Sequence, residues 1–166
     1  GSIGVTITAA SDSKVYDGTA LVKDEAVAAN LLTGHTMSEV TVVGSQTLVG
    51  TSANVASGAK ILDENDNDVT ANYNITYVDG TLTVTQGSIG VTITAASDSK
   101  VYDGLPLTNG YTTSSGLLTD HAYSATVTGT QTLVGSSANV ASAAVIKDAD
   151  GNDVTANYNI TYVDGI

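Results

Sequence analysis

The chain has 166 residues and a formal net charge of −12, with five Lys, no Cys, no Trp, no Phe and a single Pro, Pro106. Five scattered lysines cannot build the cationic footprint that replaces counterions on nucleic-acid phosphates, and the absence of Cys excludes disulfides. No stretch of about 18 apolar residues occurs, so no membrane-spanning helix is expected, and the core must be made from aliphatic residues and the eight Tyr.

Val5 to Ala9 (VTITA) alternates apolar residues with Thr, the period-two pattern of a half-buried strand. Ser11, Asp12 and Ser13 interrupt it. Extended chain resumes at Lys14-Val15-Tyr16 and ends at Asp17-Gly18, a tight-turn dipeptide. Thr19 to Asn30 could be drawn as a helical turn or two, but a loop or irregular edge strand fits it better. Glu39 to Val43, Gln46 to Val49 and Ser57 to Leu62 read as short strands, and Asp63 to Asp68 as an acidic turn. Tyr73 to Val78 then sets Tyr73, Ile75 and Tyr77 on one core-facing side. Asp79-Gly80 is expected to form a hairpin turn from which Thr81 to Thr85 pairs back.

At Gly87 the chain begins again. Gly1 to Gly18 returns unchanged as Gly87 to Gly104, and Val69 to Gly80 as Val154 to Gly165. Self-similarity at a fixed period is the mark of an array built from one folded unit. We therefore expect an all-β protein of two tandem, small Ig-like β-sandwich units, 1–86 and 87–166, in an elongated arrangement; β-grasp-like units are the architectural alternative. Both copies are acidic, with ten acids against three Lys in the first and seven against two in the second. Thr19 to Asn30 shares almost nothing with its counterpart, Leu105 to Gly116. One residue is lost between Thr36 and Val40, a change expected in a loop. The second copy stops at Ile166 where the first continues into Leu82 to Thr85, so its closing strand is expected to lie outside this sequence.

Lys14-Val15-Tyr16-Asp17-Gly18, followed some fifty residues later by Asp68-Val69-Thr70-x-Asn72-Tyr73-x-Ile75-Thr76-Tyr77-x-Asp79-Gly80-Thr81-Leu82-Thr83-Val84, resembles the tandem YDG-type and MBG-type repeats of large bacterial cell-surface, adhesin-like proteins. The resemblance covers both copies. It implies an extracellular stalk segment on a bacterial surface, anchored through sequence outside this chain, with neighbouring repeats as its partners. Host glycan, mucin or protein bound through the variable loops is the alternative. Nucleic acid and membrane insertion are not expected, nor is enzymatic activity, since no nucleophile-elbow motif or cleft-forming insertion accompanies the Ser, His and Asp present.

Three groups of residues nevertheless carry candidate chemistry. Asp63, Asn65 and Asn67, with Asp148, Asp150 and Asn152, place oxygen ligands at alternate positions as in the first half of a calcium loop; the glycine and the bidentate acid of the second half are missing, and a solvated turn fits better. Calcium is the one cofactor this spacing admits. Lys14, Asn72 and Asp17, with Lys100, Asn157 and Asp103, hold the ingredients of a Lys–Asn isopeptide bond promoted by an acid, against an ordinary solvated edge lysine. Tyr111 and Tyr123 occur only in the second copy and could form a binding patch. His35 and His121 read as hydrogen-bonded turn residues.

Overall fold

Alternation places Val5, Ile7 and Ala9 inward and the intervening residues outward along the first strand, β1 (Ile3–Ala9). The computed structural model describes residues 2–166, and the chain divides into two units, Gly1–Thr85 and Gln86–Ile166. Unit 1 continues through β2 (Asp12–Val15), β3 (Ala26–Ala29), β4 (Thr36–Val43), β5 (Gly50–Leu62), a 3-10 turn over Thr70–Asn72, β6 (Tyr73–Val78) and β7 (Gly80–Thr85). These strands form two sheets, ordered β3-β1-β6 and β2-β7-β5-β4. Ile7, Ala9 and Ala56 pack with Met37, Val42 and Ile75 between them, while Val5, Ile61 and Tyr73 pack with Leu31 and Val69. The protein is all-β, and among the described residues there is no α-helix. The variable segment thus contributes the edge strand β3, and the helix that a β-grasp unit would need is not formed.

Two strands change sheet side by side. β1 pairs in parallel with β6, from Ile3↔Tyr73 to Thr8↔Val78; after a bend at Ala10, the chain enters the second sheet as β2, which pairs in parallel with β7, from Asp12↔Leu82 to Val15↔Thr85. β6 makes the same transfer at Asp79. A hairpin was expected here, and the structure corrects it: Asp79-Gly80 is a sheet switch, and β7 pairs with β2 and antiparallel β5. The physical reason is close packing, because a Cβ on Gly80 would lie 2.1 Å from the Ala10 carbonyl oxygen. Only Gly lets the two bends nest. Leu82 and Val84 are then fully enclosed, a burial contributing about 1.5–3 kcal/mol for each side chain.

Further expectations shift in detail. Gln46 to Val49 forms a single bridge, Leu21↔Gln46, in place of a strand, since the Gln46 amide turns back to the Leu48 carbonyl. Ser57 to Leu62 is the second half of the 13-residue β5, which pairs with β7 through Gly50–Asn54 and with β4 beyond it. The chain bends between Ala9 and β2, so Asp12 and Ser13 already belong to the resumed strand. Tyr73 is buried, whereas Tyr77 stands at the exposed end of the same face.

Unit 2 repeats the plan with β8 (Ile89–Ala95), β9 (Thr112–Ser115), β10 (Ala122–Thr128), β11 (Val140–Lys147), a 3-10 turn over Thr155–Asn157 and β12 (Tyr158–Val163). Its sheets are β12-β8-β9 and β10-β11. The parallel pairing recurs from Ile89↔Tyr158 to Thr94↔Val163. Ile93, Ala95, Ala141 and Ala144 form its core with Tyr123, Val127 and Ile160. The one-residue difference between the copies falls inside a strand, not in the loop expected. β4 shows register shifts on both sides of Glu39, whereas β10 shows one, between Ser124 and Thr126. A bulge absorbs an added residue by bending the strand while pairing continues on either side.

Candidate functional site

The Lys-Val-Tyr-Asp-Gly segment closes on itself. Lys14 Nζ donates to Asp17 Oδ1 at 2.9 Å and to Thr19 Oγ1 at 2.7 Å, while Asp17 Oδ1 also accepts the Thr19 amide at 3.0 Å. The Lys14 ammonium, together with the Thr19 hydroxyl and amide, holds the Asp17 carboxyl far below the usual carboxylate range. In unit 2, Lys100 Nζ donates to Asp103 Oδ1 at 2.8 Å and the Leu105 amide at 2.9 Å replaces that of Thr19; the Asp103 carboxyl is likewise lowered, first by Lys100. These pairs are exposed, and such pairs contribute about 0–1 kcal/mol.

The isopeptide ingredients are not brought together. Asn72 precedes Tyr73, which pairs with Ile3 at the start of β1, whereas Lys14 lies beyond the far end of that strand and pairs with Val84. The seven residues of β1 separate the two ends by roughly 20 Å. Asn157 serves a structural purpose instead. It is buried, and its Oδ1 accepts the Gly87 amide at 2.9 Å, tying the start of unit 2 to the 3-10 turn.

In the acidic turns the first carboxylate organises the loop. Asp63 Oδ1 accepts the amides of Asn65 and Asn67, each at 2.9 Å, and its Oδ2 accepts Asn67 Nδ2 at 3.0 Å. Asp148 does the same with the Asp150 amide at 3.0 Å, the Asn152 amide at 2.9 Å and Asn152 Nδ2 at 3.0 Å. The side-chain amides of Asn67 and Asn152 are the main cause that lowers both carboxyls. A carboxylate receiving three N–H donors in this way is an Asx-type turn former. Among the described residues, no group of three or more His, Cys, Asp or Glu side chains could hold a metal ion.

Tyr111 and Tyr123 part company. Tyr111 is 79% exposed just before β9, while Tyr123 turns inward to the core and shares a 2.8 Å hydrogen bond with Thr112 Oγ1. In unit 1, the places of Thr112 and Tyr123 are held by Ala26 and Met37, both packed in the core. The second copy therefore fills this space with a hydroxyl pair where the first uses a thioether. The histidines are hydrogen-bonded in the same way in each unit: His35 Nδ1 lies 2.7 Å from the Tyr73 hydroxyl, which also accepts the Leu32 amide at 3.1 Å. His121 and Tyr158 repeat this at 2.7 Å with the Leu118 amide at 3.1 Å, and burial pushes the Tyr158 phenol up. Each pair pins the Leu-Leu-Thr-x-His turn to the strand that begins at its tyrosine.

Sequence reasoning passed over Asn54 and Asn139. Asn54 is 1% exposed, and its Nδ2 donates to the Ala10 carbonyl at 2.9 Å and the Lys23 carbonyl at 2.8 Å. The Ala10 amide meanwhile donates to the Glu25 carbonyl at 2.9 Å, so both backbone groups of the bent residue find partners. Asn139 bridges Ala96 at 2.9 Å and Asn109 at 2.8 Å. The available signal was the unchanged Ser-Ala-Asn-Val-Ala-Ser stretch at 52–57 and 137–142, but a polar residue between Ala and Val in a strand reads as solvent-facing.

The arrangement defines an all-β protein of two repeated units whose shared polar residues organise turns and bends. The chain matches no protein-family model, no curated protein and no solved structure. Among the described residues, no helix is long and apolar enough to cross a membrane.

Proposed function

We propose that the two units are spacer repeats of a bacterial cell-surface protein, which bear tension and hold a distal binding domain away from the cell wall. The observation that carries this reading is the parallel pairing of the N-terminal and C-terminal strands of unit 1. Pulling the start of β1 and the end of β7 apart loads the β1–β6 and β2–β7 ladders along their length. Their hydrogen bonds must then fail together, whereas bonds pulled from one end fail singly. The likeness of the YDG and NYxITYxDG segments to bacterial surface repeats supports the same reading, and acidity in both units favours mutual repulsion of neighbouring chains.

Single-molecule pulling of the whole chain from its two ends tests this. Two unfolding events are expected, with unit 1 yielding at the higher force, because unit 2 has the β8–β12 ladder but, among the described residues, no paired counterpart of β2–β7. Smooth extension at forces that merely straighten an unfolded chain would reject the spacer reading. The alternative, an adhesive module, draws on the exposed, unit-specific Tyr111; glycan or mucin binding that is lost in Tyr111→Ser would favour it.

A further inference from the structure

Asn-Ile-Thr occurs twice in the sequence, at 74–76 and 159–161, once in each unit. Asn followed two places on by Ser or Thr, with a residue other than Pro between them, is the acceptor pattern for N-linked sugars. No other Asn of the chain meets it. Three residues can also fall into this pattern through strand composition alone, so the surroundings decide.

Those surroundings are open in both units. Alternation along β6 turns Tyr73 and Ile75 toward the core and sets Asn74 and Thr76 on the outward face, where both are exposed. β12 does the same with Asn159 and Thr161. β6 and β12 each form the edge of their sheet, so one flank of each Asn has no neighbouring strand. On the other flank stand Gly4 and Gly90, the register partners of Asn74 and Asn159. A Cβ on either glycine would meet no atom within 4 Å. Each Asn therefore has bare backbone on one side and an open edge on the other.

Asn and Gly are both disfavoured in strands, yet here they lie side by side inside a ladder that elsewhere presents Thr to the outward face. Asn54, Asn139 and Asn157 hold backbone groups at named partners. Among the described residues, the side chains of Asn74 and Asn159 have no hydrogen-bond partner, so local structure gives no reason for an amide at these two places.

We propose that Asn74 and Asn159 are N-glycosylation sites, each carrying a sugar on the outward face of its edge strand. The donor is a glycosyl diphosphate and the catalyst a separate transferase that reads the Thr76 or Thr161 hydroxyl. Asn Nδ2 attacks the anomeric carbon; a C–N bond forms as the bond from that carbon to the diphosphate oxygen breaks, Nδ2 gives up one proton and the diphosphate leaves. The attached sugar lies over Gly4 or Gly90. It also guards an edge that carries no charged residue from Tyr73 to Val78, whereas the edges of the other sheet of unit 1 carry Asp12, Lys14 and Glu39. Bulk and hydration at an edge discourage pairing with another chain, as charges do. The sites are independent of the spacer reading, so either can fail without the other.

Peptide mapping by mass spectrometry of the protein recovered from the cells that make it tests the assignment. Sugar is expected on the peptides holding Asn74 and Asn159, and unmodified Asn at both places would overturn it. The folded full chain is then offered two donors in separate arms, a uridine-diphosphate hexose with a soluble Asn-x-Thr transferase and a lipid-diphosphate oligosaccharide with a membrane transferase. Transfer in one arm supports the sites and identifies the donor class; transfer in neither counts against them. Thr76→Val keeps a β-branched strand residue and is expected to lose the sugar at Asn74 while Asn159 keeps its own, and Thr76→Ser to retain both. Sugar on Asn74 of Thr76→Val would contradict the proposal. Gly4→Tyr fills the open space beside Asn74. In a variant that keeps its unfolding midpoint, transfer to Asn74 of the folded chain is expected to be lost and transfer to Asn159 unchanged; unchanged transfer at both would refute the role given to the glycine.

Discussion

Gly58 and Ala143 occupy the same step of the same bulge, with φ of +64° and +54°. Ala143 therefore carries a Cβ in the left-handed region, at a cost of about 1–2 kcal/mol, partly offset by the larger chain entropy a glycine would lose. The other non-glycine residues with positive φ among those described, Asn30, Asp66 and Asp120, likewise face a glycine in the opposite copy: Gly116, Gly151 and Gly34. One backbone is thus written with two sequences. Ala143→Gly is expected to raise the stability of unit 2 by about 0.5–1 kcal/mol, and Gly58→Ala to lower that of unit 1 by about 1 kcal/mol. Urea unfolding of each variant checks both signs; a Cβ at Gly58 comes no closer than 3.7 Å to Thr41 Oγ1, so its cost is conformational.

The bulge also leaves an amide to be satisfied from elsewhere. The Tyr77 hydroxyl accepts the Ala59 amide at 3.0 Å, and the Tyr162 hydroxyl accepts the Ala144 amide at 2.9 Å. Tyr77→Phe and Tyr162→Phe should each cost about 1 kcal/mol. Amide hydrogen exchange at Ala59 or Ala144 should accelerate in the matching variant and stay unchanged in the other unit.

Asn54 holds the bend at Ala10. Asn54→Ala strips two buried carbonyls of their donor and opens a small void, an expected loss of about 2–3 kcal/mol. Asn54→Asp should cost more, because a carboxylate would face the Ala10 and Lys23 carbonyl oxygens. Thermal unfolding that ranks Asp below Ala and Ala below Asn would agree with this geometry; near-equal midpoints would contradict it.

Gly80→Ala forces its Cβ into the Ala10 carbonyl and should destabilise unit 1 by about 3 kcal/mol. β7 is the element displaced, so Tyr16 should become accessible. A change in tyrosine fluorescence and quenching before global unfolding reads this out. The same substitution at Gly165 meets the Ala96 carbonyl in the same way, with a Cβ 2.0 Å away.

Acid sensitivity follows from the carboxyls of Asp17, Asp63, Asp68, Asp103, Asp148 and Asp153, all lowered by hydrogen bonds in the folded state. A group lowered on folding contributes stability above its unfolded pKa, about 3.9 for Asp, and loses it as pH falls through the folded value. At fixed high salt, which screens the net negative charge, the unfolding midpoint should be flat from pH 7 to 5 and fall below about pH 4. Lys14→Met should shrink the acid-side drop. A midpoint that rises on acidification under these conditions would refute the assignment.

Local pattern was enough for much of this structure. The alternation in Val5 to Ala9 and Tyr73 to Val78 marks strands because residues two apart share a face, and Asp17-Gly18 marks a turn because Gly18 takes φ of +81°. The fold class followed from those signals. The acidic turns were visible as turns for the same reason: Asp63 bonds residues two and four positions away.

Pairing partners were not legible, because a strand's pattern states which face is buried and not which edge it joins. Thr81 to Thr85 alternates as well for a hairpin as for a switch into the second sheet; the contact of Gly80 with Ala10, residues seventy apart in the chain, decides between them. Asn54 and Asn139 look solvent-facing until that switch buries them against bent backbone. By itself the sequence determined that one β-rich unit is written twice and that turns fall at Asp17-Gly18 and Asp63 to Asp68, since these depend on near neighbours and on comparing the copies. Only the tertiary structure decided that terminal strands run parallel, that a bulge absorbs the one-residue difference and that Asn54 and Asn139 hold bent backbone, because each depends on backbone hydrogen bonds and close approaches between segments far apart in the chain.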